Sequence, residues 1–212
     1  LLRQLRLDGL YPYREKTRCG QVTPSQVSVV LPMRNAATTV ERAARSILDS
    51  TLCKLELIVV DDGSVDDSAA IVRQMNDPRL RLIQQDALGV CAAANRGTAE
   101  ATAPVIARMD ADDYSHPTRL EKQLWLLHDS GADMVGCRVR IVDELGQAVE
   151  SMRRYEQWSN SLTEPERIVA MRFVELPLVN PTLLAKREVF ELGCRDGDWP
   201  EDYDLCLRAL GQ

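Results

Sequence analysis

The segment Pro104–Pro117, PVIARMDADDYSHP, runs from an apolar stretch straight into three carboxylates, Asp110, Asp112 and Asp113. VIARM has the length and character of a buried strand, and PTRLEKQLWLLHDSG after it has the apolar spacing of a helix. Pro117 suits that helix's first turn, Leu120, Leu124 and Leu127 form its stripe, and Gly131 stops it. A strand that ends in acids and hands over to a helix is one unit of an α/β sheet.

Upstream the same unit recurs. VSVVLP is a short β-branched run suited to a strand buried on both faces, and TTVERAARSIL places Val40, Ala43, Ala44, Ile47 and Leu48 on one helical face. Thr38 and Glu41 have capping-box spacing. LELIVV then leads into DDGS, DDSAAIVRQM reads as a helix and RLRLIQQ as a strand. GVCAAANRGTAEAT is rich in small residues, which predicts a helix packed close to its neighbour. This alternation predicts an α/β fold with a mostly parallel central sheet and helices on both faces. Downstream, ADMVGCRVRIVDELGQAVESM is expected to form a hairpin or paired strands turning near Glu144 to Gly146. TEPERIVAMRFV is expected to be a helix with a second capping box, Thr163 and Glu166, and PTLLAKREVFELG a strand then a helix. Without repeats, low-complexity tracts or a linker, the division is an amphipathic or poorly ordered extension over 1–24 and one domain over 25–212.

Composition narrows the function. A net charge of -6 argues against nonspecific binding to nucleic acid or anionic membrane, which draws its affinity from Lys and Arg. No stretch approaches the roughly 20 apolar residues of a membrane span. The six cysteines are scattered with no C-x-x-C pair, so neither a zinc site nor a disulfide framework is expected, and free thiols in a reducing cytoplasm are.

Three polar clusters fall at strand ends: PMRN, DDGS and DADD. Singly, each has an ordinary explanation, since Asp62, Ser64 or Asp66, and likewise Asp112, Asp113 or Ser115, could cap the following helix. Together they mark the edge where ligands bind in an open α/β sheet. Two carboxylates at i and i+2 repel one another unless a hard divalent cation joins them. Mg²⁺ or Mn²⁺ takes one or two protein carboxylates and fills its other positions with water and phosphate oxygens. Such a metal diphosphate would let an acidic protein hold an anion. In RDGDWPEDYDLCLRAL, Glu201, Asp202 and Asp204 open a helix with Leu205, Leu207 and Leu210 on its apolar face. These acids either complement the helix dipole, or Asp202 serves as a general base.

In order, VSVVLPMRN, LELIVVDDGSVDDS, DALGVCAAANRGTAEA, RMDADDYSHPTRLEKQ, VNPTLL and PEDYDLCLR resemble the family 2 glycosyltransferases, which use nucleotide-sugar donors on a GT-A fold. The resemblance covers nearly everything from Val27 to Gly211. It implies an inverting enzyme that moves a sugar, expected from a UDP donor, to a carbohydrate, lipid-linked or protein hydroxyl. Pro32, Arg34, Asn35 and Asp62 would then line the base and ribose pocket, with Gly89, Asn95 and Arg96 in the block closing over the nucleotide. Asp110 and Asp112 would form the D-x-D that holds Mn²⁺ or Mg²⁺, Asp110 also touching ribose, with Asp113 behind them. Asn180 would sit near sugar and acceptor, and Asp202 would be the base with Glu201 beside it. Arg34 replaces an aromatic that the family often carries, leaving the base preference open. The chain stops just after the ED helix where members continue, so acceptor-side or membrane-attachment elements are expected beyond it. A cytoplasmic enzyme, working at the inner membrane face if attached, is the placement this implies.

Two other enzyme classes fit less well. A sugar-phosphate nucleotidyltransferase opens with a Gly-rich loop and a basic residue, which LPMRNAATTVERA lacks, and a dehalogenase-type phosphatase carries Thr or Val where Asp113 stands. A GT-A-like module that binds nucleotide without turnover is the rival from outside catalysis.

Overall fold

The computed structural model describes Gln4 and Leu5, residues 25–143 and residues 145–211. Its elements run β1 (Gln4–Leu5), β2 (Val27–Met33), α1 (Val40–Leu48), β3 (Leu55–Asp62), α2 (Ser68–Gln74) and β4 (Leu80–Gln85). They continue with α3 (Val90–Glu100), β5 (Val105–Arg108), α4 (Arg119–Ser130), β6 (Met134–Val135), α5 (Arg153–Ser161) and α6 (Pro165–Met171). A 3₁₀ turn over Asn180–Thr182 precedes β7 (Leu184–Lys186), α7 (Arg187–Phe190) and α8 (Glu201–Leu210).

The sheet order is β1-β6-β7-β5-β2-β3-β4. The pairs β1/β6, β2/β3, β2/β5 and β3/β4 are parallel. β7 lies antiparallel to both β5 and β6. Alternation along the central strands feeds two cores. Val27, Val29 and Leu31 of β2 join Leu57 and Val59 of β3 on the side covered by α1, α2 and α4. Val30, Ile58, Val60 and Ile106 pack on the other side with α3, α7 and α8. Both faces are therefore buried, as expected of strands this uniformly apolar. The close packing expected of the small-residue helix is present at Gly97, where a Cβ would collide with Val30 Cγ1 of the sheet beneath.

Several expectations are corrected. Neither capping box forms: α1 and α6 have no side-chain cap, and Glu41 instead pairs with Arg45 one turn on (2.7 Å). Helix propensity and the buried face suffice to start α1 without a cap. The hairpin shrinks to a single antiparallel bridge, Val142 to Ala148, because Met134 and Val135 pair with β7 and β1 instead. The Asp143 carboxylate shapes that turn, accepting the Leu145 and Gln147 N–H groups (2.9 and 2.8 Å), while residue 144 lies outside the described residues. Of the 1–24 extension, Gln4–Leu5 is a sheet-edge strand and the rest lies outside the described residues. On α8, Cys206 and Ala209 are buried with Leu205 and Leu210, displacing Leu207 from the expected face.

The free-thiol expectation also fails. Cys91 and Cys194, 103 residues apart in sequence, form a disulfide with their Cα atoms 5.0 Å apart. Only the tertiary fold brings the start of α3 to the loop before α8. Among the described residues no helix is long and apolar enough to cross a membrane.

Candidate active site

The loops leaving β2 and β3 are sewn into one rim. The Asn35 N–H donates to Ser64 Oγ (2.9 Å), and Asn35 Oδ1 accepts the Val65 N–H (2.9 Å). The Ala36 N–H reaches Ser68 Oγ (2.8 Å) and the Ala37 N–H reaches Asp66 Oδ2 (3.1 Å). Asp61 accepts from the Ser64 N–H and from Gln84 Nε2, both at 3.0 Å. Asp62 is buried and accepts the N–H groups of Leu88 and Gly89 (both 2.9 Å) and Gln85 Nε2 (2.8 Å). Burial alone would raise its carboxyl. Three donated hydrogen bonds and the nearby Arg34 charge outweigh that and hold it below the usual carboxylate range. Half-buried Pro32 and exposed Arg34 border the same rim. Asn35, Asp62 and Gly89 are thus joined in one rim with Pro32 and Arg34 at its border.

A second group gathers where β5 meets α4 and α8. The chain turns sharply after β5, with the Asp113 N–H donating back to Asp110 O (3.3 Å). Arg42 of α1 holds Asp112 O (2.9 Å). Beneath the turn lies buried Arg119, which donates to Arg108 O (2.8 Å) and Gln123 Oε1 (3.0 Å). Arg108 itself is 5% exposed, and among the described residues no group accepts a hydrogen bond from its guanidinium. Its charge is instead set against Asp110, Glu201 and Asp202. Arg108, Asn95, Asn180, Glu201 and Asp202 line a common cavity.

The electrostatics here are the reverse of those on the rim. Burial pushes the Asp110 carboxyl up; Arg108 opposes this, and Asp112, Asp202 and Glu201 add to it. Asp113 is pushed up to about 6 by burial and by Asp110 and Asp112. Asp202 is pushed up by burial and by Glu201, although it accepts the Tyr203 N–H (2.7 Å) and feels Arg108. Asp204 behaves differently. Arg195 and Arg208 bind its carboxylate and hold it at about 2. The PEDYD acids therefore divide into one structural carboxylate, Asp204, and two that face the cavity.

Arg96 is not on this cavity's lining: it pairs with Glu100 (3.0 Å), whose other oxygen takes Arg81 (3.0 Å). Asn95 does line it, with its amide bonded to the backbone of Cys194. Arg108 and Arg119 are the site residues that motif reading missed. Only Arg108 carried a signal, because an arginine closing the apolar run VIAR must be buried against something charged or polar, whereas Arg119 sits in a helix where arginine is ordinary. Among the described residues no group of three or more His, Cys, Asp or Glu is placed to hold a metal ion. A cation at Asp110 and Asp112 would therefore complete its shell with water and ligand oxygens. The donor set fits: two hard carboxylates, one of them, Asp110, raised by burial and then by neighbouring acids whose charge a cation would offset.

Comparison with known proteins agrees with this geometry. Residues 28–193 match the family model described as glycosyl transferase family 2. The succinoglycan biosynthesis protein ExoU of Rhizobium meliloti is 31% identical over 88% of this chain and 57% of its own length. The O-antigen biosynthesis glycosyltransferase WbnJ of Escherichia coli is 28% identical over 88% of this chain and 72% of its own. This chain thus spans a little over half of the first relative. Among solved structures, S. aureus TarS in complex with UDP superposes with a TM-score of 0.72 at 19% identity, covering 87% of this chain and 55% of TarS. The Pyrobaculum calidifontis mannosyltransferase PcManGT, in complex with GDP-Man and Mn²⁺, gives 0.67 at 21%, covering 89% and 52%. These likenesses are of fold, and the fold is GT-A. With its matched segment spanning the rim, the acidic turn and the 3₁₀ turn at Asn180, the chain belongs to glycosyl transferase family 2.

Proposed function

We propose that this glycosyltransferase moves a sugar from a UDP-sugar to an acceptor hydroxyl by a single inverting displacement, with Asp202 as general base. The observation that carries this reading is the placement of Asp202. It faces a cavity shared with Asn180 and Arg108, beside the acidic turn of Asp110 and Asp112, and burial together with Glu201 raises its carboxyl above the usual carboxylate range. A base whose pKa approaches the working pH is the more effective proton acceptor. The rim of Pro32, Arg34, Asn35 and Asp62 takes the nucleoside, and Asp110 and Asp112 would hold Mn²⁺ or Mg²⁺. When bound, that cation supplies positive charge to the departing diphosphate. Asn180 orients sugar or acceptor, and the Arg108 charge opposes the upward push on Asp110 and Asp202. Asp202 takes the acceptor's proton on the face of the sugar opposite the leaving group, where the anomeric carbon is oxocarbenium-like.

ExoU and WbnJ are named for succinoglycan and O-antigen biosynthesis, which favours a growing polysaccharide, free or lipid-linked, as acceptor over a protein. Residues 25–212 form the donor-binding and catalytic domain in this reading. The cytoplasmic placement now rests on the donor alone, since the Cys91–Cys194 disulfide removes the thiol argument. A panel of UDP- and GDP-sugars with Mn²⁺, read by nucleoside diphosphate release and by the anomeric configuration of the product, tests the proposal. UDP release with an inverted product is expected; a retained configuration or binding without turnover would overturn it.

A further inference from the structure

The loop over 192–195 lies between α3 and α8 and is fastened to both. On the α3 side, Asn95 holds Cys194 by both of its backbone groups: Asn95 Nδ2 donates to the Cys194 carbonyl (2.8 Å), and Asn95 Oδ1 accepts the Cys194 N–H (2.7 Å). One helical turn earlier, Cys91 is joined to Cys194 by the disulfide. The i, i+4 spacing of Cys91 and Asn95 puts both fasteners on one face of α3. On the α8 side, Arg208 donates to the carbonyls of Leu192 (2.7 Å) and Gly193. Arg208 and Arg195 also share the Asp204 carboxylate. Gly193 takes a φ of 73°, a conformation a side chain would oppose, and so turns Cys194 toward Asn95.

We propose that this loop is a strap that sets α8, and with it Glu201 and Asp202, against α3, and that Asn95 is a positioning residue for Asp202. The proposal rests on the assignment of Asp202 as base. Asn95 thus engages Cys194 through both its amide nitrogen and its amide oxygen, while its second N–H remains available to the cavity it lines. The ties to Arg208 and Arg195 bind the strap to α8 as one body, whereas the ties to α3 are two and redundant. Removing one leaves the loop anchored by the other. Removing both leaves α8 held by its packing in the core and by Tyr203, whose hydroxyl donates to Arg172 O, so its strapped end shifts and the cavity wall between Asn95 and Asp202 moves with it. The nucleoside rim is built from the β2 and β3 loops and is untouched.

The test is a cycle of Asn95→Ala, Cys91→Ser and the double variant, with kcat and donor KM measured alongside Asp202→Asn. Each single change lowers kcat by no more than about 3-fold, because the remaining tie still holds the loop. The double variant loses about 30-fold or more, exceeding the product of the singles because the fasteners are coupled. Donor KM stays within about twofold throughout, since only transition-state alignment is lost. If the double variant does not fold, reduction of folded Asn95→Ala with dithiothreitol gives the same readout, with reduced wild-type protein as its reference. Near-additive losses, or losses in donor KM at constant kcat, overturn the strap. Normal turnover by Asp202→Asn sinks the base assignment and the strap's role with it; a dead Asp202→Asn beside an unaffected double variant sinks the strap alone.

Discussion

The two acidic regions at the sheet's edge are built on opposite principles. On the rim, Asp61, Asp62 and Asp66 each accept hydrogen bonds from neighbouring loops, and Asp62 and Asp66 are held below their usual carboxyl range. At the junction of β5 with α8, Asp110, Asp113 and Asp202 are raised by burial and by neighbouring acids. The rim is satisfied by the protein itself. The junction carries unbalanced negative charge over a buried arginine, an arrangement that a divalent cation would neutralise. In the proposed reading, the difference separates carboxylates that build the site from carboxylates that would do its chemistry.

Substitutions on the two sides should therefore fail in different ways. The largest effect is expected at Asp202: Asp202→Asn lowers kcat by about 10²–10⁴-fold with an unchanged melting temperature. Unfolding as the cause of lost activity would erase the distinction between the regions. On the rim, Asp62→Ala strands the Leu88 and Gly89 N–H groups and costs about 3 kcal/mol of stability, measured by urea unfolding. At the junction, Asp112→Ala weakens UDP binding in Mn²⁺ by about 10- to 100-fold, since losing a ligand costs at least what losing its supporting partner does. Binding in EDTA stays as it was, and calorimetry in both buffers checks the pair. The smallest effect is at Asp113. With its native carboxyl at about 6, above the unfolded value near 3.9, the folded state binds more protons between these limits, and stability falls as pH rises through them. Asp113→Asn consequently raises the melting temperature by about 2 °C at pH 7, and the gain shrinks through pH 5 and closes only as pH falls below the unfolded value near 3.9.

Much of this was legible from local pattern. DADD, DDGS and the ED pair stand out because each interrupts an apolar run at a strand end or opens a helix, and strand alternation identifies both cores. What escaped depends on distant contacts. β7 slips between β5 and β6 in reverse direction, and nothing in LLAK announces its partners. The Cys91–Cys194 disulfide spans 103 residues, so spacing rules could not find it. Asp62 reads from sequence as a ligand contact, and only the fold reveals that its oxygens organise the loop at Leu88 and Gly89. Capping boxes misled for the opposite reason: Thr38 and Thr163 have the right spacing, but buried faces rather than caps decide where α1 and α6 begin.

The claim that the junction is completed by a metal nucleotide is tested most directly by thermal unfolding with UDP, with Mn²⁺, and with both. A ligand that binds only the folded state raises the melting temperature. The account predicts a shift with UDP and Mn²⁺ together that exceeds the sum of the separate shifts, and that disappears in Asp112→Ala. Equal shifts with UDP whether or not Mn²⁺ is present would contradict it.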